Sequence, residues 1–157
     1  MMTKQSVLEE IDEVFGPVIR PNKFTLEDGD PECMDHNALL QSRARETLSL
    51  DDVGNAGYDP LCECLPEGIA YFFPTLARFA LSSPVNSFSW YGGQLIFHLS
   101  YNDRENRFLC YCSKLQRAAV ASLLKYIIDN CENLIRDDGA EMEEFKSCYL
   151  MWKSECY

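Results

Sequence analysis

Positive charge is what this chain has least of: 14 lysines and arginines stand against 25 aspartates and glutamates, a formal net charge of −11 over 157 residues. So acidic a chain repels phosphate backbones and anionic headgroups. That excludes nucleic acid and membrane surfaces as expected partners and favours a basic protein. Long hydrophobic runs are also missing, and no apolar stretch approaches the roughly 20 residues a bilayer-crossing helix needs. The opening MMTKQSVLEEIDEVFG carries Glu9, Glu10, Asp12 and Glu13 where an export leader would be apolar, so a cytoplasmic location is expected. Histidine is limited to His36 and His98. There is no nucleophile elbow, phosphate-cradling glycine loop, dinucleotide fingerprint or His-Glu-x-x-His motif. An enzyme is therefore not the leading expectation, and no cofactor is implied.

What is present describes a folded globule. A hydrophobic share of 46% with 12% aromatics suits a single domain spanning residues 1–157. The 8 cysteines are an even number, but in a reducing compartment they read as thiols, most of them small buried hydrophobes. No internal repeat is visible.

The periodicity is helical. Val7, Leu8, Ile11, Val14 and Phe15 share one face of a first helix, which Gly16-Pro17 ends. Residues 19–35 are polar and turn-rich and read as a surface loop, with a short extended piece at Lys23–Leu26. Asp35 is placed as the N-cap of a helix running from His36 to about Leu48, and Ser49 or Asp51 starts another turn before Gly54. Pro66 and Glu67 then open a helix in which Ile69, Phe72, Phe73, Leu76, Phe79 and Ala80 keep helical register through Pro74. A mid-helix proline loses one hydrogen bond and clashes with the turn before it, at about 3 kcal/mol unless compensated. A kink that serves packing is the expectation. Gln94–Tyr101 is read as helix, with a small β-hairpin across 94–112, pairing it with Arg107–Cys112, as the alternative. Ser113 caps the clearest helix, with Leu115, Ala119, Ser122 or Leu123, Tyr126, Ile127, Asn130 and Leu134 inward. After the break at RDDGAE, Ala140 to about Lys153 forms a last acidic helix. The fold class is mainly α, a compact bundle of about five or six helices around one proline-kinked core helix.

Two constellations could carry chemistry. The Cys-x-Cys pairs Cys62/Cys64 and Cys110/Cys112 offer four soft ligands for a tetrahedral zinc. One intervening residue aligns two side chains only along extended chain, so the second pair qualifies only as a strand. Cysteine catalysis would need a nearby base, and His98, inside an apolar run, reads as a hydrogen-bonded core residue. His36 stands beside Asp35, whose role is read as helix capping. The second constellation is electrostatic. Both chain ends are acidic, whereas bases outnumber acids between Lys114 and Arg136. If the ends pack side by side, Glu141, Glu143 and Glu144 form an acidic face with Tyr149, Trp152 and Tyr157 as aromatic anchors for a basic protein partner. An aromatic face of this kind could also pair two copies of the chain.

Residues Pro66, Glu67, Tyr71, Phe72, Phe73 and Pro74, followed by Phe108, Leu109, Gln116, Ala119, Val120, Leu123 and Tyr126, resemble a family of small uncharacterised bacterial proteins. In that family a Pro-Glu-led helix with an aromatic-aromatic-Pro core precedes a Gln-containing helix. The resemblance spans roughly Asp59 to Ile128, and Leu65 stands where the family has a capping hydroxyl. It implies a bacterial, cytoplasmic, mainly helical protein and carries no activity. The function expected is an acidic protein-interaction module, for instance a toxin-neutralising immunity protein. The alternative is a small metal-binding module or enzyme using the paired cysteines.

Overall fold

Side chains that satisfy orphan amides mark where the helices begin. The computed structural model describes residues 1–26, 29–84 and 88–154. Thr3 and Ser6 exchange bonds in a capping box at the start of α1 (Lys4–Phe15). Asp30 accepts from the Glu32 amide ahead of α2 (Pro31–Gln41), and Ser49 precedes the single turn of α3 (Leu50–Val53). The long α4 (Pro66–Ala80) and α5 (Tyr91–Ser100) follow. Asn106 accepts from two amides at the head of α6 (Arg107–Tyr111), and Ser113 forms a capping box with Gln116 at α7 (Lys114–Asn130). The chain closes with α8 (Glu132–Asp138) and α9 (Met142–Lys153). Gly139, at φ +77°, ends α8 in the left-handed conformation while Ala140 N–H reaches back to Ile135 O. Short 3₁₀ turns occur at Ala56–Tyr58, Pro60–Glu63 and Asp103–Glu105.

The helices form a ring: α1 packs on α7, α7 on α9, α9 on α5, α5 on α4 and α4 back on α1. α6 leans on α4 and sends Phe108 into the middle. There Phe108 meets Phe15, Phe73 and Trp152 at centroid distances of 5.9, 5.3 and 5.5 Å, so four helices share one aromatic cluster.

The proline helix is continuous, and Phe72, Phe73, Pro74 and Leu76 are all buried. Arg45 braces the helix beside the proline. Its Nε donates to the Tyr71 carbonyl at 2.6 Å, on the turn that Pro74 disturbs, and its Nη atoms donate to Phe15 O and Gly16 O at 2.9 and 3.2 Å. One guanidinium thus ties the proline turn to the open end of α1, and it lies 4.6 Å from the Tyr71 ring centre.

Several expectations need correction. Helix α2 begins at Pro31 with Asp30 as its cap, so residues 31–35 belong to a helix and the loop is shorter than 19–35. Proline at the first helical position was the better start signal than Asp35. The extended piece reduces to one antiparallel bridge, Thr25 to Cys64. Residues 94–112 hold no hairpin, because both candidate strands are helical. Leu115 is exposed, since α7 turns Ala119, Val120, Leu123, Leu124 and Ile127 inward instead. No helix among the described residues is long and apolar enough to cross a membrane.

Candidate functional site

A 3₁₀ turn and one face of α5 meet to build the site. Asp59 is the N-cap of Pro60–Glu63: its Oδ1 accepts from the Leu61 amide at 2.9 Å, and Pro60 presets the first turn residue. In a 3₁₀ turn, residues three apart eclipse one another, which brings Cys62 over Asp59. The bond from Cys62 N–H to Asp59 O closes that turn. On α5, Tyr91, Gln94 and His98 are spaced i, i+3 and i+7 and so lie along one stripe.

The two elements are joined by hydrogen bonds. His98 Nε2 lies 2.6 Å from Asp59 Oδ2, and Gln94 Nε2 donates to the same oxygen at 2.7 Å and also to Val53 O. The Asp59 and His98 side chains are only 1% and 3% exposed, so the pair sits out of water. Donor atoms of Asp59, Cys62 and His98 all lie within 4.8 Å of one another. Tyr91, also buried, has a hydroxyl with no hydrogen-bond partner among the described residues. Burial pushes its pKa well above the ordinary phenol value, and nearby Asp59 and Cys62 push the same way.

The frame is fixed from behind. Arg107 donates to the carbonyls of Leu61, Cys62 and Cys64, clamping the turn. Asn106 Nδ2 donates to His98 O and Tyr101 O at the end of α5. α2 packs against the turn, and the Cys33 thiol approaches Glu63 Oε2 at 3.4 Å.

As a nucleophile Cys62 is poorly placed. Burial, then the charges of Asp59 and Glu63, push its pKa up to about 11, and Arg107 opposes them only in part. It is therefore a thiol at neutral pH, while reactive cysteines lie in electropositive surroundings. A divalent cation would reverse that electrostatic balance, because its charge displaces the thiol proton. Sulfur, imidazole nitrogen and carboxylate oxygen form a donor set suited to zinc. Around a tetrahedral ion such donors stand roughly 3.3–3.8 Å apart, so small side-chain movements complete the cage.

Of the four sequence-predicted ligands, only Cys62 belongs to this cluster. Cys64 is buried against Gly68 and Phe24, where a β-carbon on Gly68 would stand 2.6 Å from its sulfur, and burial raises its pKa beyond any reactive range. Cys110 and Cys112 lie at the end of a helix rather than on a strand. The first is exposed and donates to Arg104 O, and the second is buried, so they do not converge. His36 is interior to α2, 3.3 Å from Glu32, with its ring tilted against Tyr58 at 4.5 Å between centres. Asp59, Tyr91 and Gln94 were not foreseen, and His98 was foreseen only as a hydrogen-bonded core residue. The available signals were Asp59-Pro60-x-Cys62 and the i, i+3, i+7 stripe of α5, which exists only once that segment is helical.

The proposed partner face changes as well. Trp152 is 1% exposed and donates its indole N–H to Leu99 O, which makes it a core residue rather than an anchor. Tyr149 is half-buried, whereas Glu141, Glu143 and Glu144 are exposed at the start of α9. Tyr157 lies outside the described residues. α1 and α9 both pack on α7, and a groove lined by α7, α9 and Met2 carries bases instead of acids. Set against family models, curated proteins and solved structures, the chain matches none.

Proposed function

We propose that this chain is a metal-binding protein that holds one zinc-class divalent cation through Asp59, Cys62 and His98. The observation carrying this reading is the convergence of three different ligand types within 4.8 Å. A purely structural hydrogen-bond network accounts for Asp59, Gln94 and His98 but gives the Cys62 thiol no role. With Asp59 and His98 buried and Cys62 reaching solvent, the ion would have three protein ligands and a fourth position open to water on the Cys62 side. The seven described cysteines are all free, in keeping with a reducing compartment such as the cytoplasm.

Metal analysis of freshly purified, reduced protein tests this directly. The expected result is about one zinc per chain, lost in Cys62→Ser and His98→Gln and kept in Cys64→Ser and Cys110→Ser. A wild-type chain that takes up no zinc, cobalt or copper at micromolar excess would sink the reading.

A second reading, the acidic interaction module, rests on the exposure of Glu141, Glu143 and Glu144 in the first turns of α9, where they meet a basic surface without desolvating a core. A salt-sensitive basic partner, retained by wild type and lost when all three become glutamine, would support it, including its immunity-protein form.

A further inference from the structure

The Asp59 carboxylate is fully engaged within the protein. Its Oδ1 accepts from the Leu61 amide at 2.9 Å, while Oδ2 accepts from Gln94 Nε2 at 2.7 Å and lies 2.6 Å from His98 Nε2. An ionised carboxylate only accepts, and each of its oxygens has two lone-pair sites. Gln94 occupies one site on Oδ2 and His98 the other.

A metal held by both Asp59 and His98 changes that arrangement. Ligand atoms around a tetrahedral ion stand roughly 3.3–3.8 Å apart. Oδ2 and Nε2 at 2.6 Å are too close to share the ion, so they must part by about 0.7 Å or more. With His98 turned from Oδ2 to the ion, Gln94 is the one side chain among the described residues that still holds this oxygen.

Gln94 is anchored for that task. It stands one turn before His98 on the same face of α5, and its Nε2 also donates to Val53 O at the end of α3. His98 is fixed from the other side, where Asn106 donates to its carbonyl and accepts from the Phe108 and Leu109 amides. The motion therefore falls on the His98 ring, and the Asp59 carboxylate stays where Gln94 keeps it.

We propose that Gln94 is the positioning residue of the metal site: it keeps Asp59 Oδ2 aimed at the ion while the ion displaces the hydrogen bond between Asp59 and His98. The proposal rests on the reading of Asp59, Cys62 and His98 as the ligands. Hydrogen-bond partners behind metal ligands are commonly worth roughly tenfold to a hundredfold in affinity.

Cobalt(II) titration followed by absorbance tests it. Gln94→Met keeps the length of the side chain and removes the donor. It is expected to weaken cobalt binding about tenfold or more, with the thiolate-to-cobalt charge-transfer band of Cys62 retained. In an Asp59→Ser background, which keeps a capping hydroxyl but no carboxylate, Gln94→Met should change cobalt affinity by less than about twofold. A merely structural tie to Val53 would cost the same in both backgrounds. Wild type supplies a second measurement that needs no variant: in ¹⁵N spectra, zinc should remove the His98 Nε2 proton signal and leave the Gln94 side-chain amide signals in place. Equal cobalt affinity in wild type and folded Gln94→Met, equal losses in the two backgrounds, or a His98 Nε2 proton that survives zinc would overturn the proposal and leave the metal site standing. A wild type that binds neither cobalt nor zinc would overturn both.

Discussion

Zinc affinity should climb about tenfold for each pH unit between pH 7.5 and 9, and the cause is one proton. Burial first, and then the carboxylates of Asp59 and Glu63, hold the Cys62 thiol protonated up to about pH 11, with Arg107 pulling the other way. Zinc takes the thiolate, so each binding event in this window must expel that proton, and the proton competes with the metal. One proton released per ion gives a slope of one in log affinity against pH throughout the range in which the thiol stays protonated without metal. The measurement is zinc competition against a chelating dye across that range, paired with calorimetry in two buffers of different ionisation enthalpy to count the protons. Cys62→Ser should lower affinity at least a hundredfold and flatten the slope. A flat profile in the wild type, or an unchanged slope in Cys62→Ser, would show that the thiol is not a ligand and that the electrostatic account of the site is wrong.

Three further outcomes follow from the packing. Arg45→Met keeps the apolar stem but removes the donor from the Tyr71, Phe15 and Gly16 carbonyls; we expect a loss of about 2–4 kcal/mol in urea unfolding, and an unchanged midpoint would mean that these bonds do not hold α4 to the end of α1. Phe108→Ala empties the centre of the aromatic cluster and should cost about 3–5 kcal/mol, whereas Phe97→Ala, at a ring 49% exposed, should cost under about 0.5 kcal/mol; similar losses would contradict the placement of the core. Burial raises Cys148 to about 12 and Cys64 and Cys112 further. The folded state therefore keeps protons that the unfolded chain releases near pH 9, so stability is full below pH 9 and falls above it. Each fully buried thiol approaches about 1.4 kcal/mol per pH unit, and thermal midpoints from pH 8 to 10.5 that did not fall would refute this.

Much of the helical plan was legible because its signals are local. Ser113 with Gln116 caps α7, Pro66 opens α4, and Gly139 closes α8, each within a few residues of the atoms it satisfies. The misses occurred where two local signals competed. Asp30-Pro31 and Asp35 both look like helix starts, and RFLCYC alternates like a strand, yet its first five residues form α6 and Cys112 caps it. Their outcome depended on what each segment packs against.

The sequence alone, then, determined the helical class, the inward face that runs through Pro74 and the acidic surface, because spacing along the chain and total charge need no partner. Only the folded structure decided that Asp59 would find His98, 39 residues away, and that Cys62 rather than any cysteine pair would join them. It also decided that Trp152 would be buried and that the scarce cations of α7 and α9 would gather around one hollow. Ligand sets and charge clusters are properties of distance in space, and those distances arise only when the ring of helices closes.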